Sequence, residues 1–124
     1  MRFYLVVNLD KANAADCAAE AAAELLRCGA EVLLTPELNA VLNCSGCQVL
    51  DEREAMQSCD AVISIGGDGK AIHTRMGKIL QQPFGILLFE ISNDNSFGFD
   101  IYFLEKDFLA LDSAKDFLLG YEIL

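Results

Sequence analysis

Short apolar runs alternate with helix-period stretches along this chain, and one run sets the architecture. Ala61-Val62-Ile63-Ser64-Ile65 has no polar face and stops abruptly at Gly66-Gly67-Asp68-Gly69, where a helical pattern begins. A strand of that composition has to be buried, and strands that alternate with helices pair in parallel with the helices as crossovers. The expectation is an open, mostly parallel α/β sheet with helices on both faces, folded as a single domain over residues 1–124. At 124 residues the chain is long enough to bury a real core.

The remaining elements follow from period and punctuation. Arg2 to Asn8 reads as a buried first strand. Ala14 to Leu26 reads as a helix whose Ala14, Ala18, Ala21, Ala22 and Leu25 form a stripe of mostly small residues that lets it lie close to a sheet. Gly29 is placed as its C-terminal cap. Glu31 to Thr35 is a second strand stopped by Pro36. Glu37 to Gln48 is less regular, with a short helix before Asn43, and Asp51 to Ser58 is a short helix with Asp51 or its neighbour as N-cap. Asp60 to Ile65 is the third strand, and Gly69 to Gln81 the helix after the glycines. Phe84 to Ile91 is a strand too apolar for a sheet edge, Ser92 to Ser96 a turn-rich loop, Phe99 to Phe103 a short strand, and Lys106 to Leu119 a final helix.

Charge narrows the partners. A formal net charge of −10 argues against nucleic acid, which requires a basic footprint. No apolar stretch approaches the roughly 20 residues of a membrane-spanning helix, and Phe3 to Val7 is too short for a signal-peptide core. A cytoplasmic protein is expected, with no membrane and no nucleic-acid partner. The hydrophobic content of 53% suggests some apolar surface that meets a partner, and self-association as a homo-oligomer is expected around Phe97, Phe99, Tyr102 and Tyr121 to Leu124. The odd count of five cysteines, with no export signal, reads as free thiols. Cys44-Ser45-Gly46-Cys47 has redox or half-zinc spacing, but His73 is the only histidine, so a resident metal is not expected.

The glycines carry the chemistry. A strand that feeds a glycine turn and then a helix offers bare backbone N–H groups and a helix dipole to a phosphate. Ligands of open α/β sheets bind beyond the carboxyl ends of the strands. Gly66 and Gly67 let backbone approach a ligand, Gly69 permits tight helix entry, and Lys70 can neutralise phosphate. Asp68 repels phosphate, so its task must differ: to take a proton from a substrate hydroxyl or to act through Mg²⁺. The pattern is not a Walker loop, because Ser64 and Ala71 stand where that motif needs Gly and Ser or Thr.

The GGDG turn after an apolar strand, His73 five positions beyond Asp68, and the downstream Asn93 with Gly98-Phe99 together resemble the NAD kinases. The opening Phe3-Tyr4-Leu5-Val6-Val7-Asn8 and the alanine-rich helix are similar to bacterial members, so the resemblance runs from Arg2 to Leu124. It implies a Rossmann-like domain that transfers the γ-phosphoryl group of ATP, or of polyphosphate, to the adenosine 2′-hydroxyl of NAD, giving NADP. Asp68 matches the proton acceptor. Asp68, Gly69 and His73 match NAD-contacting positions, and Asn93 matches the asparagine of the family's second loop. With Gly66, Gly67 and Lys70 these make the nucleotide-binding set; Mg²⁺ is expected to arrive with ATP, and no tightly bound cofactor is expected.

Departures accompany the likeness. Lys70 stands where the family usually has threonine, Asn95 where its second loop has a middle glycine, and Asp100 where it has leucine. The family's second, β-rich domain supplies most of the NAD pocket and is expected to be missing here, which implies an inactive or incomplete kinase domain. Two alternatives stand beside this one. One is a non-catalytic module that binds nucleotide or self-associates. The other is a domain of another GGDG kinase, acting on diacylglycerol or sphingosine.

Overall fold

A computed structural model describes residues 1–66, 69–80, 88–92 and 98–103, with backbone alone for 69–71, 73, 88–92 and 98–103. The element order is β1 (Arg2–Val7), α1 (Ala14–Arg27), β2 (Glu31–Leu34), α2 (Pro36–Leu42), β3 (Gln48–Val49), α3 (Glu52–Ser58), β4 (Ala61–Ile65), α4 (Gly69–Leu80), β5 (Leu88–Ser92) and β6 (Gly98–Phe103). These strands form one sheet in the order β3-β2-β1-β4-β6-β5. The first four run parallel, with Tyr4 opposite Leu33 on one side and Val62 on the other.

Helices cover both faces, and strand alternation decides which side chain meets which helix. Phe3, Leu5, Val32, Leu34, Ala61, Ile63 and Ile65 pack with α1 and with Leu38 of α2. Tyr4, Leu33 and Val62 point the other way, onto Ala55 and Met56 of α3 and Ile72 and Met76 of α4. The α1 stripe of Ala14, Ala18, Ala21, Ala22 and Leu25 is buried, as its spacing predicts.

Capping sets the helix ends. Gly29 has φ +83, and its N–H donates to the Leu26 carbonyl while the Ala30 N–H reaches back to that of Leu25. This is the paired closure that ends a helix through a left-handed residue, with Leu25 and Ala30 sharing the core beneath it. Asp51 caps α3 through its side chain, which accepts from the Glu54 N–H at 2.8 Å.

Three expectations are corrected. The stretch after Pro36 is a helix from its first residue. Thr35 accepts the Leu38 N–H at 3.3 Å and Pro36 fills the first helical position, where its missing donor costs nothing. Gln48–Val49 is then a strand paired with β2.

The second correction concerns the last two strands. They are antiparallel, and β5 is the end strand of the described sheet rather than an interior one. Residues 93–97 are too few for a parallel crossover, so β6 returns beside β5 and takes the place next to β4. Third, Cys44 and Cys47 are joined as a disulfide, while Cys17, Cys28 and Cys59 are free. The chain leaves α2 through Asn43 in left-handed conformation and turns again at Gly46, which brings the two Cα atoms to 5.9 Å. The expected residues 84–87 of the fourth strand, the helix Lys106 to Leu119 and the segment Tyr121 to Leu124 lie outside the described residues.

At the N-terminal edge of the sheet Arg2 ties four strand ends together. Its backbone N–H donates to Asp60 at 2.8 Å, and its guanidinium reaches the Ser58 carbonyl, Gln48 and Glu31. The opposite edge is thereby left for other work.

Candidate functional site

The carboxyl ends of β1 and β4 lie side by side, with Val7 opposite Ile65. Just past them, Asn8 holds the start of the glycine turn. Its backbone N–H donates to the Ile65 carbonyl at 2.9 Å, and its side-chain Nδ2 donates to the Gly66 carbonyl at 3.2 Å. Its Oδ1 accepts the Asp10 N–H at 3.1 Å, which fixes the amide orientation. Gly66 has φ +66, a backbone state that costs an L side chain about 1 kcal/mol or more. The run of glycines therefore has a local cause at its first member.

Gly67 and Asp68 lie outside the described residues. Helix α4 resumes at Gly69 and Lys70, so these two occupy its first positions. Ile72 and Met76, four apart and buried, mark the face of α4 turned to the sheet. His73 lies on the second turn of α4, at backbone level only. Asn93 is outside the described residues, but the strand ends that flank it are placed. Ser92 pairs with Gly98, and Phe99 pairs with both Ile91 and Ile65. The connection that carries Asn93 therefore springs from the same end of the sheet as Gly66. Topology brings the two stretches, 27 residues apart in sequence from Gly66 to Asn93, to one edge.

Beside this edge opens a cavity of about 500 Å³. Its apolar wall is Leu5, Val6 and Val7 of β1 with Leu9, Pro36 and Leu38. Its charged rim is Glu37 in the first turn of α2, Asp51 and Glu52 at the start of α3, and Arg75 of α4. The Arg75 Nε lies 3.0 Å from Glu52 Oε1, so the one cation of the rim is engaged by a carboxylate. Three carboxylates against one guanidinium leave the described rim negative.

Tyr4 also lines the cavity, although it is only 2% exposed. Burial, and next the negative charge of Glu52, push its phenol well above the ordinary tyrosine range. The phenol therefore stays protonated as a hydrogen-bond donor. Sequence reasoning did not single out Asn8, Tyr4 or this cavity. The signal for Asn8 was available, as an amide placed directly after an apolar strand. The cavity had none, because its walls come from four separate elements.

Ser64 is the one polar residue among the buried described residues, at 1% exposure, and its Oγ has no hydrogen-bond partner among them. It stands opposite Val6 and Asp100 in the sheet register. No group of three or more His, Cys, Asp or Glu side chains suited to a metal occurs among the described residues. No helix among them is long and apolar enough to cross a membrane. No family model, curated protein or solved structure matches the chain.

Proposed function

We propose that this chain is a nucleotide-binding domain of NAD kinase type. The reaction of that type is transfer of the γ-phosphoryl group of ATP, or of polyphosphate, to the adenosine 2′-hydroxyl of NAD, and this chain is read as an inactive or incomplete domain for it. The observation that carries the reading is the junction of β4 with the glycine turn: Gly66 in left-handed conformation at the carboxyl end of a central parallel strand, its carbonyl held by Asn8. That is where an open α/β sheet places a phosphate, with backbone donors and the start of a helix converging on it.

Phosphoryl transfer asks little covalent chemistry of a protein; positioning and charge neutralisation do most of it. In this reading Gly66, Gly67 and Gly69 admit the phosphate to bare backbone, and Lys70 offsets its charge. Asp68 takes the proton of the attacking hydroxyl as the new O–P bond forms and the bond to ADP breaks. Mg²⁺ belongs with the ATP phosphates, which commonly supply most of its ligands, so one or two carboxylates from the protein are enough. His73 and Asn93 complete the nucleotide contacts. The reaction is placed in the cytoplasm, where both nucleotides are found together.

A second reading, a nucleotide-binding module without turnover, is favoured by one observation. Lys70 stands at a position where a hydroxyl would hold phosphate or metal. Self-association around Phe97, Phe99, Tyr102 and Tyr121 to Leu124 is proposed in either reading.

Calorimetry with MgATP and with NAD, paired with an assay for NADP, separates these. We expect heat from MgATP in the isolated chain and no NADP above background. Removing a carboxylate beside phosphate removes repulsion. Asp68→Asn is therefore expected to keep or tighten MgATP binding, and Asn8→Ala to weaken it several-fold. NADP formation abolished by Asp68→Asn would establish the kinase in full. Absence of heat from either nucleotide would overturn both readings.

A further inference from the structure

The cavity beside the glycine turn has the wrong charge for phosphate and the right chemistry for the other end of a nucleotide. We propose that it is a nucleoside subsite for the phosphate donor, which seats the uncharged, hydroxyl-bearing end of ATP and sends its phosphates toward Gly66. The proposal rests on the nucleotide-binding reading above and adds an orientation that the glycine turn alone does not supply.

Four observations converge. The first is size: about 500 Å³ lies inside the range of small-molecule sites. The second is the wall, where Val6, Val7 and Leu9 give an apolar surface for a base. Leu9 of this lining is 44% exposed, an apolar side chain that faces solvent. The third is the rim. Among the described lining residues, Glu37, Asp51 and Glu52 stand against one guanidinium that Glu52 already engages, so an anion entering here meets repulsion while hydroxyl and amino groups meet acceptors. Tyr4 lines the same cavity, and its phenol is a donor for a ring nitrogen.

The fourth is position. Glu37 follows β2 by three residues, and an acid just past the second strand is what dinucleotide-binding sheets use to hold ribose hydroxyls. Val7 and Leu9 of the wall flank Asn8, which holds the Gly66 carbonyl. The cavity and the turn therefore share one short strap of backbone. A ligand with its neutral end in the cavity leaves along β1 toward β4, and the phosphate arrives where acids give way to bare glycine.

The test uses adenosine, which has no phosphate, and 2′,3′-dideoxyadenosine, which lacks the 2′- and 3′-hydroxyls, in amide-resolved NMR titrations of the whole chain. Glu37 is exposed on the first turn of α2, so Glu37→Gln leaves the core intact. Adenosine is expected to shift the amides of Val6, Val7, Leu9 and Glu37. Loss of a hydrogen bond to a charged acceptor corresponds to about tenfold or more in affinity. Dideoxyadenosine on the native chain and adenosine on Glu37→Gln should each bind about tenfold more weakly, and combining the two should cost no more than either alone.

Absence of adenosine binding, shifts confined to another face, or fully additive losses would each overturn the subsite. Glu20→Gln, at an exposed acid of α1 outside the cavity lining, serves as the control and should leave adenosine affinity unchanged. If adenosine binds as expected while MgATP leaves the glycine turn unmoved, the subsite stands and the kinase reading falls. MgATP binding at the turn without adenosine at the cavity gives the reverse.

Discussion

At the scale of single residues, Tyr4 joins packing to chemistry. Its ring is part of the core between the sheet and helices α3 and α4, while it also lines the cavity. The folded phenol holds its proton above the ordinary value of about 10 because burial, with Glu52 nearby, penalises the anion. The unfolded chain releases that proton first, so between the two values the unfolded state binds fewer protons and stability falls as pH rises. The contribution is complete below the unfolded value and is lost on the alkaline side. The chain has three tyrosines. Absorbance titration of the phenolates should therefore show one that resists ionisation until the protein unfolds, and Tyr4→Phe should remove it and flatten the alkaline loss of stability. Three phenols titrating together near the ordinary value would contradict this.

At the scale of elements, what was legible in the sequence is what local physics determines. The stripe on α1, the Gly29 closure and the Asp51 cap each rest on residues of one helix and its ends, and all three are found where the spacing puts them. The same holds for β4 and the helix that follows its glycines. Helix α2 is less legible because Pro36 after an apolar strand reads as its stop, although Thr35-Pro36 is also a cap followed by a first helical residue. The order of β5 and β6 was not legible, since apolar composition reports burial and says nothing of which neighbour provides it. The Cys44–Cys47 spacing allows a redox pair, but an odd cysteine count with no export signal argues for free thiols, and it is the turn through Asn43 and Gly46 that decides the geometry.

The α1 stripe makes its own quantitative expectation. Ala18 is wholly buried against the sheet, and its neighbour Ala19 is exposed. Added methylenes at a packed position force backbone or rotamer shifts of about 1–3 kcal/mol. Chemical denaturation should therefore show Ala18→Leu destabilised by about that much and Ala19→Leu nearly unchanged. Equal effects at both positions would mean that α1 does not lie on the sheet as described.

At the scale of the whole molecule, the two ends of the sheet do different work. Arg2 gathers the N-terminal ends of β1, β2, β3 and β4 in hydrogen bonds and an ion pair, a purely structural closure. The carboxyl ends carry a held glycine turn, a ligand-sized cavity and the strand ends that flank Asn93. This division makes the glycine edge the place for chemistry in an acidic chain, where a phosphate must be held by local donors because the net charge of −10 opposes it.

The most direct test is an amide-resolved NMR titration with MgADP, read at both ends of the sheet. The account expects the largest shifts at Asn8, Gly66 and the amides from Gly67 to Lys70, with Arg2, Glu31 and Asp60 unmoved. Saturable binding whose shifts fall at the Arg2 end, or no shift at Asn8 and Gly66 at saturating MgADP, would contradict the claim that the glycine turn is a phosphate site.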